Sequence, residues 1–140
     1  MNWLIVISFL FYTLNITGFR VGRFLLCTSC LKDEPIDLIF WVMYGASAVT
    51  FLFAPNVGQW LLLGVFFLFH VIQIVFTYKF WFVRDKDRIR SKVAGYNRFF
   101  SHTHHIIKPQ ENILIPDTFH ILLFVMFFVN LTAVVIYILA

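Results

Sequence analysis

Histidine and cysteine are the residue types in this chain whose spacing suggests chemistry. Three histidines fall within four consecutive residues, and the two cysteines form a C-x-x-C pair. Thiolate and imidazole are the ligands that zinc prefers, and four of them complete a tetrahedral site. The sequence therefore offers a site for zinc or another transition metal that would join two distant polar segments. The candidate ligands are Cys27, Cys30, His102, His104, His105 and His120.

This metal site has a simpler alternative for each of its halves. The cysteines also fit two small, weakly polar residues at the end of a helix. The histidines also fit a solvated loop beside lipid headgroups, where their imidazoles would titrate near the ordinary histidine pKa of about 6.5. The two halves lie far apart along the chain, and the spacing of the histidines matches no familiar zinc finger.

His70 is the third candidate, because it interrupts a long apolar run and has Gln73 close by on the same predicted helix. An ionisable side chain within the membrane is costly and is a functional candidate by default. His70 could ligate haem, relay protons or donate a hydrogen bond to a quinone. A bis-histidine haem is disfavoured, since His120 lies at a different depth. The structural alternative is a neutral His70 bonded to Tyr44, Ser47, Asn130 or a partner chain.

The composition shows what must position these residues. Charged residues make up 13% of the chain and hydrophobic residues 61%, and the mean hydropathy is +0.85. Soluble domains carry roughly 25% charged residues, so this chain has too little polar surface for a water-exposed globule. Lipid must cover most of it. The net charge of +4 does not suggest nucleic acid, because no soluble surface remains to bind it.

The apolar runs predict an all-α integral membrane protein with about four transmembrane helices in one membrane domain, at residues 3–26, 38–54, 58–83 and 118–140. Each run approaches or exceeds the roughly 20 residues that cross a hydrocarbon core. The Pro55-Asn56 pair marks a turn between the second and third spans. The runs do not alternate, so strands are not expected. Gly18 and Gly22 form a G-x-x-x-G motif that would let two helices approach closely.

The distribution of lysine and arginine predicts the orientation. All 11 basic residues flank the first and third connections, and the third connection is a polar loop over residues 84–117. Under the positive-inside rule these connections face the cytoplasm or the mitochondrial matrix, and both termini face the opposite side. The 19 phenylalanines suggest AT-rich codons, so we expect a bacterial or organellar inner membrane. The cysteines then lie on the reducing face, which argues against a disulfide.

Within the polar loop, Arg84, Arg88 and Lys92 recur every four residues. On a helix they would form one basic stripe, and each charge near an anionic leaflet gains about 1 kcal/mol. We therefore expect this stripe to bind anionic lipid headgroups.

Three functions fit these features. The leading hypothesis is a small non-catalytic subunit of a larger membrane complex, respiratory or otherwise energy-transducing, whose partners are the lipid bilayer and other membrane subunits. The second is a membrane metalloenzyme or metal-binding protein that uses the histidine cluster on the cytoplasmic face. The third is a small transporter or channel subunit with His70 and Gln73 along its path.

Overall fold

The computed structural model describes residues 1–27, 35–76, 79, 81, 90–108, 110 and 113–140. Over these residues the chain is mostly helical, with one short antiparallel hairpin. The elements in chain order are α1 (Asn2–Thr17), β1 (Phe19–Val21), β2 (Phe24–Cys27), α2 (Pro35–Phe53), α3 (Pro55–Phe76), α4 (Arg90–Phe99) and α5 (Thr118–Leu139).

Three of these helices, α2, α3 and α5, are long and apolar enough to cross a membrane. Their apolar stretches contain 18, 21 and 22 residues, with mean hydropathies of 1.7, 1.8 and 2.7. At 1.5 Å per residue such stretches approach or exceed the thickness of a hydrocarbon core. Helix α1 is also apolar but has only 16 residues. Among the described residues, three helices are therefore candidate membrane spans, whereas the sequence predicts about four.

The first predicted span, residues 3–26, differs most from the structure. The helix ends at Thr17, and β1 and β2 then pair, with Arg20 opposite Leu25. Gly18 and Gly22 both have positive φ, at 77° and 56°, a conformation that glycine adopts without steric penalty. The expectation of one continuous helix without strands is wrong here. The two glycines end the helix and turn the hairpin, so they do not form a helix-packing motif.

The connection between α2 and α3 is a single residue. Helix α2 ends at Phe53, and α3 begins at Pro55 rather than at Gly58. Proline suits a first helical position, because the amide hydrogen it lacks would have no partner there. The two helices approach so closely that a Cβ atom on Gly58 would overlap the backbone of Phe51. Gly58 therefore permits a close backbone contact.

Four helices pack in a ring, because α1 and α3 each contact both α2 and α5. Aromatic side chains fill the centre. The Phe69 and Phe127 ring centroids lie 4.3 Å apart, and Tyr44 and Phe66 meet edge to face at 5.0 Å. Such pairs contribute about 0.5–1.5 kcal/mol each beyond the area they bury. The predicted polar loop, residues 84–117, contains the short helix α4.

Hydrogen bonds between helices fix the position of α1 in this ring. The Tyr44 hydroxyl donates to the Ile5 carbonyl oxygen at 3.0 Å, and the Asn130 amide donates to the Ser8 hydroxyl at 2.7 Å. Interhelix bonds of this kind contribute about 0.6 kcal/mol on average in a membrane protein. Helix α1 is thus bonded to α2 on one side and to α5 on the other.

We expect Gly58→Ala to destabilise the protein by about 1–3 kcal/mol or more, because the added methyl group would overlap the Phe51 backbone. Gly64→Ala is the matched control in the same helix, since a Cβ atom there meets nothing within 4 Å. It should be neutral or slightly stabilising. Unfolding in detergent, followed by circular dichroism, measures both changes. Equal stability of the two variants would contradict the close contact.

Candidate functional site

A cavity of about 110 Å³ lies among the five helices, and we call it the chamber. Each helix contributes one polar side chain to its wall, and three apolar side chains complete the lining. At about 30 Å³ per molecule, the chamber has room for three or four waters. The polar residues are Asn15, Asp37, Gln73, Tyr96 and His120, and the apolar residues are Phe69, Phe100 and Leu123.

Asp37 lies at the chamber wall in the first turn of α2, where the helix dipole favours a negative charge. It is only 8% exposed. The Tyr12 hydroxyl lies 3.2 Å from its carbonyl oxygen and 3.3 Å from Oδ1, and the Asn15 amide donates to Oδ2 at 3.1 Å. A buried carboxylate needs such donors. Helix α1 supplies both, because Tyr12 and Asn15 share its inward face.

Asp117 and His120 form the second polar pair. Asp117 caps the start of α5, where its Oδ1 atom accepts from the His120 backbone N–H at 2.9 Å and lies 2.6 Å from the His120 Nδ1 atom. The Asp117 backbone N–H donates to the Tyr96 hydroxyl at 3.2 Å. The Nδ1 proton of His120 therefore points at the carboxylate, and this bond fixes the tautomer and the orientation of the neutral imidazole.

The pKa of Asp117 reflects two opposing effects. Burial raises the pKa of Asp117, but the hydrogen bonds and positive charge of His120 lower it by more than burial raises it. The pKa therefore lies below its ordinary value of 3.8. Asp117 is fully buried. The pair therefore holds a negative charge at the base of α5 next to an imidazole that can become positive.

The structure brings part of the predicted metal site together. Leu25 in β2 forms a bridge to Thr103, and its carbonyl oxygen accepts from the His104 backbone N–H at 2.9 Å. The hairpin that ends at Cys27 therefore lies beside the histidine segment. His102 lines the groove between them, together with Arg23 and Lys108.

The imidazoles of this segment have other partners. The His104 Nδ1 atom lies 2.8 Å from the Thr118 hydroxyl, and the His105 Nδ1 atom lies 2.9 Å from the Thr103 carbonyl oxygen. Among the described residues, no group of three or more histidine, cysteine, aspartate or glutamate side chains is placed to hold a metal ion. Cys30 lies outside those residues, so the zinc hypothesis stays a prediction.

The predicted lipid stripe also stays a prediction. Arg84 and Arg88 fall outside the described residues, and Lys92 lies in α4.

His70 lies in α3 and is buried against α5, with 7% of its surface exposed. Its Nδ1 atom lies 2.7 Å from the Phe66 carbonyl oxygen, and its Nε2 atom is buried with no hydrogen-bond partner. An unsatisfied buried polar atom costs about 1–3 kcal/mol. The partners expected from the sequence bond elsewhere: Tyr44 to Ile5, Ser47 to Met43 and Asn130 to Ser8.

Sequence reasoning missed Asp37 and Asp117, because both stand at the edges of apolar runs and look like ordinary loop residues. Two sequence patterns could have identified these polar residues. Asp117 precedes His120 by three residues at the start of the last apolar run, which is the spacing of a helix N-cap and the amide it binds. Ser8, Tyr12 and Asn15 likewise follow the helical period within an apolar segment.

No known protein family matches this chain, and neither a curated protein nor a solved structure matches it.

The lowered pKa of Asp117 predicts how stability depends on pH. At a pH between the pKa of Asp117 in the folded protein and its ordinary pKa of 3.8, the carboxyl group binds a proton only in the unfolded chain. The ionised Asp117 therefore stabilises the fold fully above pH 3.8. This stabilisation is lost as the pH falls through the pKa of the folded protein. Asp117→Asn should remove this dependence and cost about 1.5–3 kcal/mol at pH 7. Unfolding in detergent at pH 7 and at lower pH measures both effects.

A double-variant cycle controls for the substitution itself. His120→Gln should cost less in the Asp117→Asn background than in the wild type, because the bond between the two side chains is already lost. Additive losses would contradict the coupling.

Proposed function

We propose that this protein is a small integral membrane subunit that takes up and releases protons at the basic face of a larger, energy-transducing assembly. One observation carries the proposal, namely the chamber into which all five helices direct a polar side chain. The chamber has room for a few water molecules. His120 lines its wall, and Asp117 binds His120 from behind that wall.

The chamber has the groups that proton exchange needs. His120 is the residue type that changes charge near neutral pH, and Asp117 orients its imidazole. Asp37 and Tyr96 are the other titratable side chains at the wall, while Asn15 and Gln73 can both donate to and accept from water. Proton transfer works through direct hydrogen bonds or through one bridging water. The polar side chains of the chamber wall can therefore exchange protons directly or through a bridging water.

A line of polar side chains extends from the chamber into the bundle. Asn15, Tyr12 and Ser8 lie on the buried face of α1, and they span about 10 Å at 1.5 Å per residue. Ser8 then meets Asn130. This arrangement favours a proton path on the α1 side of the bundle. It differs from the path first expected at His70, since Gln73 lines the chamber and His70 does not.

We also propose that α1 is a fourth span. It completes the ring with α2, α3 and α5, and at 1.5 Å per residue its 16 residues cover about 24 Å. The basic residues would face the cytoplasm or matrix and both termini the opposite side, in a bacterial or organellar inner membrane.

Cysteine labelling in intact cells tests this topology. In a variant with Cys27 and Cys30 replaced by serine, Asn2→Cys and Asn56→Cys should each react with an impermeant maleimide from outside. His102→Cys should react only after the membrane is permeabilised. The reverse pattern would contradict the orientation, and an Asn2→Cys site that reacts only after permeabilisation would contradict α1 as a span.

The subunit role rests on an outward groove between α2 and α3 of about 510 Å³. Ala46, Ser47 and Gly64 are among its lining residues, and small side chains let a further helix approach closely. Extraction in mild detergent should therefore recover the chain within a larger complex. A stable monomer with no companion would contradict the subunit role.

The proton function has its own test in vesicles that contain the native assembly. His120→Gln should slow proton uptake from the basic face roughly a hundredfold, because general acid–base groups contribute on this scale. Added imidazole should restore part of the rate. His102→Gln is the matched control, since it removes an exposed histidine that does not line the chamber. Unchanged uptake in His120→Gln would contradict the proposal.

A further inference from the structure

An apolar groove of about 390 Å³ runs along the outer wall of the bundle between α3 and α5. Val71, Ile74, Phe124 and Phe128 are among the side chains that line it. His70 is the one lining side chain with a polar atom among the described residues of this groove. The groove lies outside the ring of helices, so its function does not depend on the chamber.

The protonation of His70 follows from its partner. A carbonyl oxygen can only accept a hydrogen bond, so the Nδ1 atom, 2.7 Å from the Phe66 carbonyl oxygen, must carry the proton. In neutral imidazole the Nε2 atom then has a lone pair and acts as an acceptor. This Nε2 atom is buried and has no partner among the described residues. His70 is therefore an unused acceptor beside an apolar groove.

We propose that this groove binds a membrane-soluble hydroquinone whose phenolic O–H donates a hydrogen bond to the Nε2 atom of His70. The acyl chain of a lipid has no donor to offer at this position. A hydroquinone ring supplies both the donor and an aromatic face. Phe124 and Phe128, whose ring centroids lie 6.1 and 6.3 Å from the imidazole, provide aromatic partners for that ring.

The geometry also selects the redox form of the ligand. A quinone carries only carbonyl oxygens, which are acceptors, and it would place a lone pair against the lone pair of Nε2. The reduced form has the donor that the site lacks. The sequence had suggested His70 as a donor to a quinone, and the Phe66 carbonyl reverses that role.

The position of His70 suits such a ligand. It lies six residues before the end of α3 at Phe76, or about 9 Å along the helix axis. The hydroquinone ring would therefore bind near that end of the helix, and its apolar tail would extend along the groove. The Nε2 atom is covered, so one neighbouring ring must move. Phe128 is 55% exposed, and exposed side chains change rotamer within nanoseconds.

Binding of tetramethylhydroquinone and of its oxidised quinone to the full-length protein tests the inference. The protein is placed in phosphatidylcholine nanodiscs under anaerobic conditions, and both affinities are measured by calorimetry. We expect the hydroquinone to bind about tenfold more tightly, the scale of one hydrogen bond. The dimethyl ether of the hydroquinone, which has the same ring without O–H groups, should bind as weakly as the quinone.

Variants of His70 separate the hydrogen bond from the shape of the groove. His70→Phe keeps an aromatic ring and should remove the preference for the hydroquinone. His70→Gln keeps an acceptor and should retain part of it. Tyr137→Phe is the control, because it removes a polar atom from a side chain of α5 that does not line the groove, and it should bind as the wild type does.

Three results would overturn the inference. These are equal affinity for the two redox forms, an unchanged preference in His70→Phe, or a haem absorption band in the purified wild-type protein. The last would identify Nε2 as an iron ligand instead. Circular dichroism of each variant checks that loss of binding is not loss of fold.

Discussion

The carboxylate of Asp37 sets the main constraint on this bundle. It is 8% exposed, and in such surroundings a negative charge is tolerated only where several donors surround it. Tyr12 and Asn15 supply two of them from α1. This requirement fixes the rotation of α1, because both donors must face α2 at once. That rotation also turns Ser8 toward Asn130 and so brings α1 against α5.

The chamber follows from the same constraint. Once α1 and α2 are joined at Asp37, the polar ends of α3 and α5 meet them at one level, and the aromatic rings of Tyr96 and Phe100 close the space. Tyr96 makes this closure specific, because its hydroxyl accepts from the backbone of Asp117. Asp117 in turn binds His120. Buried hydrogen bonds that join α1 to α2, α1 to α5, and α4 to the start of α5 specify one arrangement of these helices, whereas apolar packing alone would permit several.

Hydropathy predicted the three long helices because lipid exposure imposes a strong signal on composition, and α2, α3 and α5 carry it over nearly their whole length. It failed at residues 18–26, where the apolar run continues although Gly18 and Gly22 turn the backbone. Hydropathy records the environment of a segment and not its φ angles. The chamber was hidden for a related reason. Its residues come from five separate segments, and only packing shows that Asn15 and His120 meet.

The bond between Ser8 and Asn130 joins residues 122 positions apart, and this separation has a consequence for biosynthesis. The α2–α3 hairpin has a one-residue turn and can form as soon as both helices have left the ribosome. Helix α1 can join it through Asp37 soon afterwards. The ring cannot close until α5 has been translated, so the bond between Ser8 and Asn130 forms only after the intervening helices have left the ribosome. An insertase that shelters α1 from lipid during this interval would protect the chain at its most exposed stage.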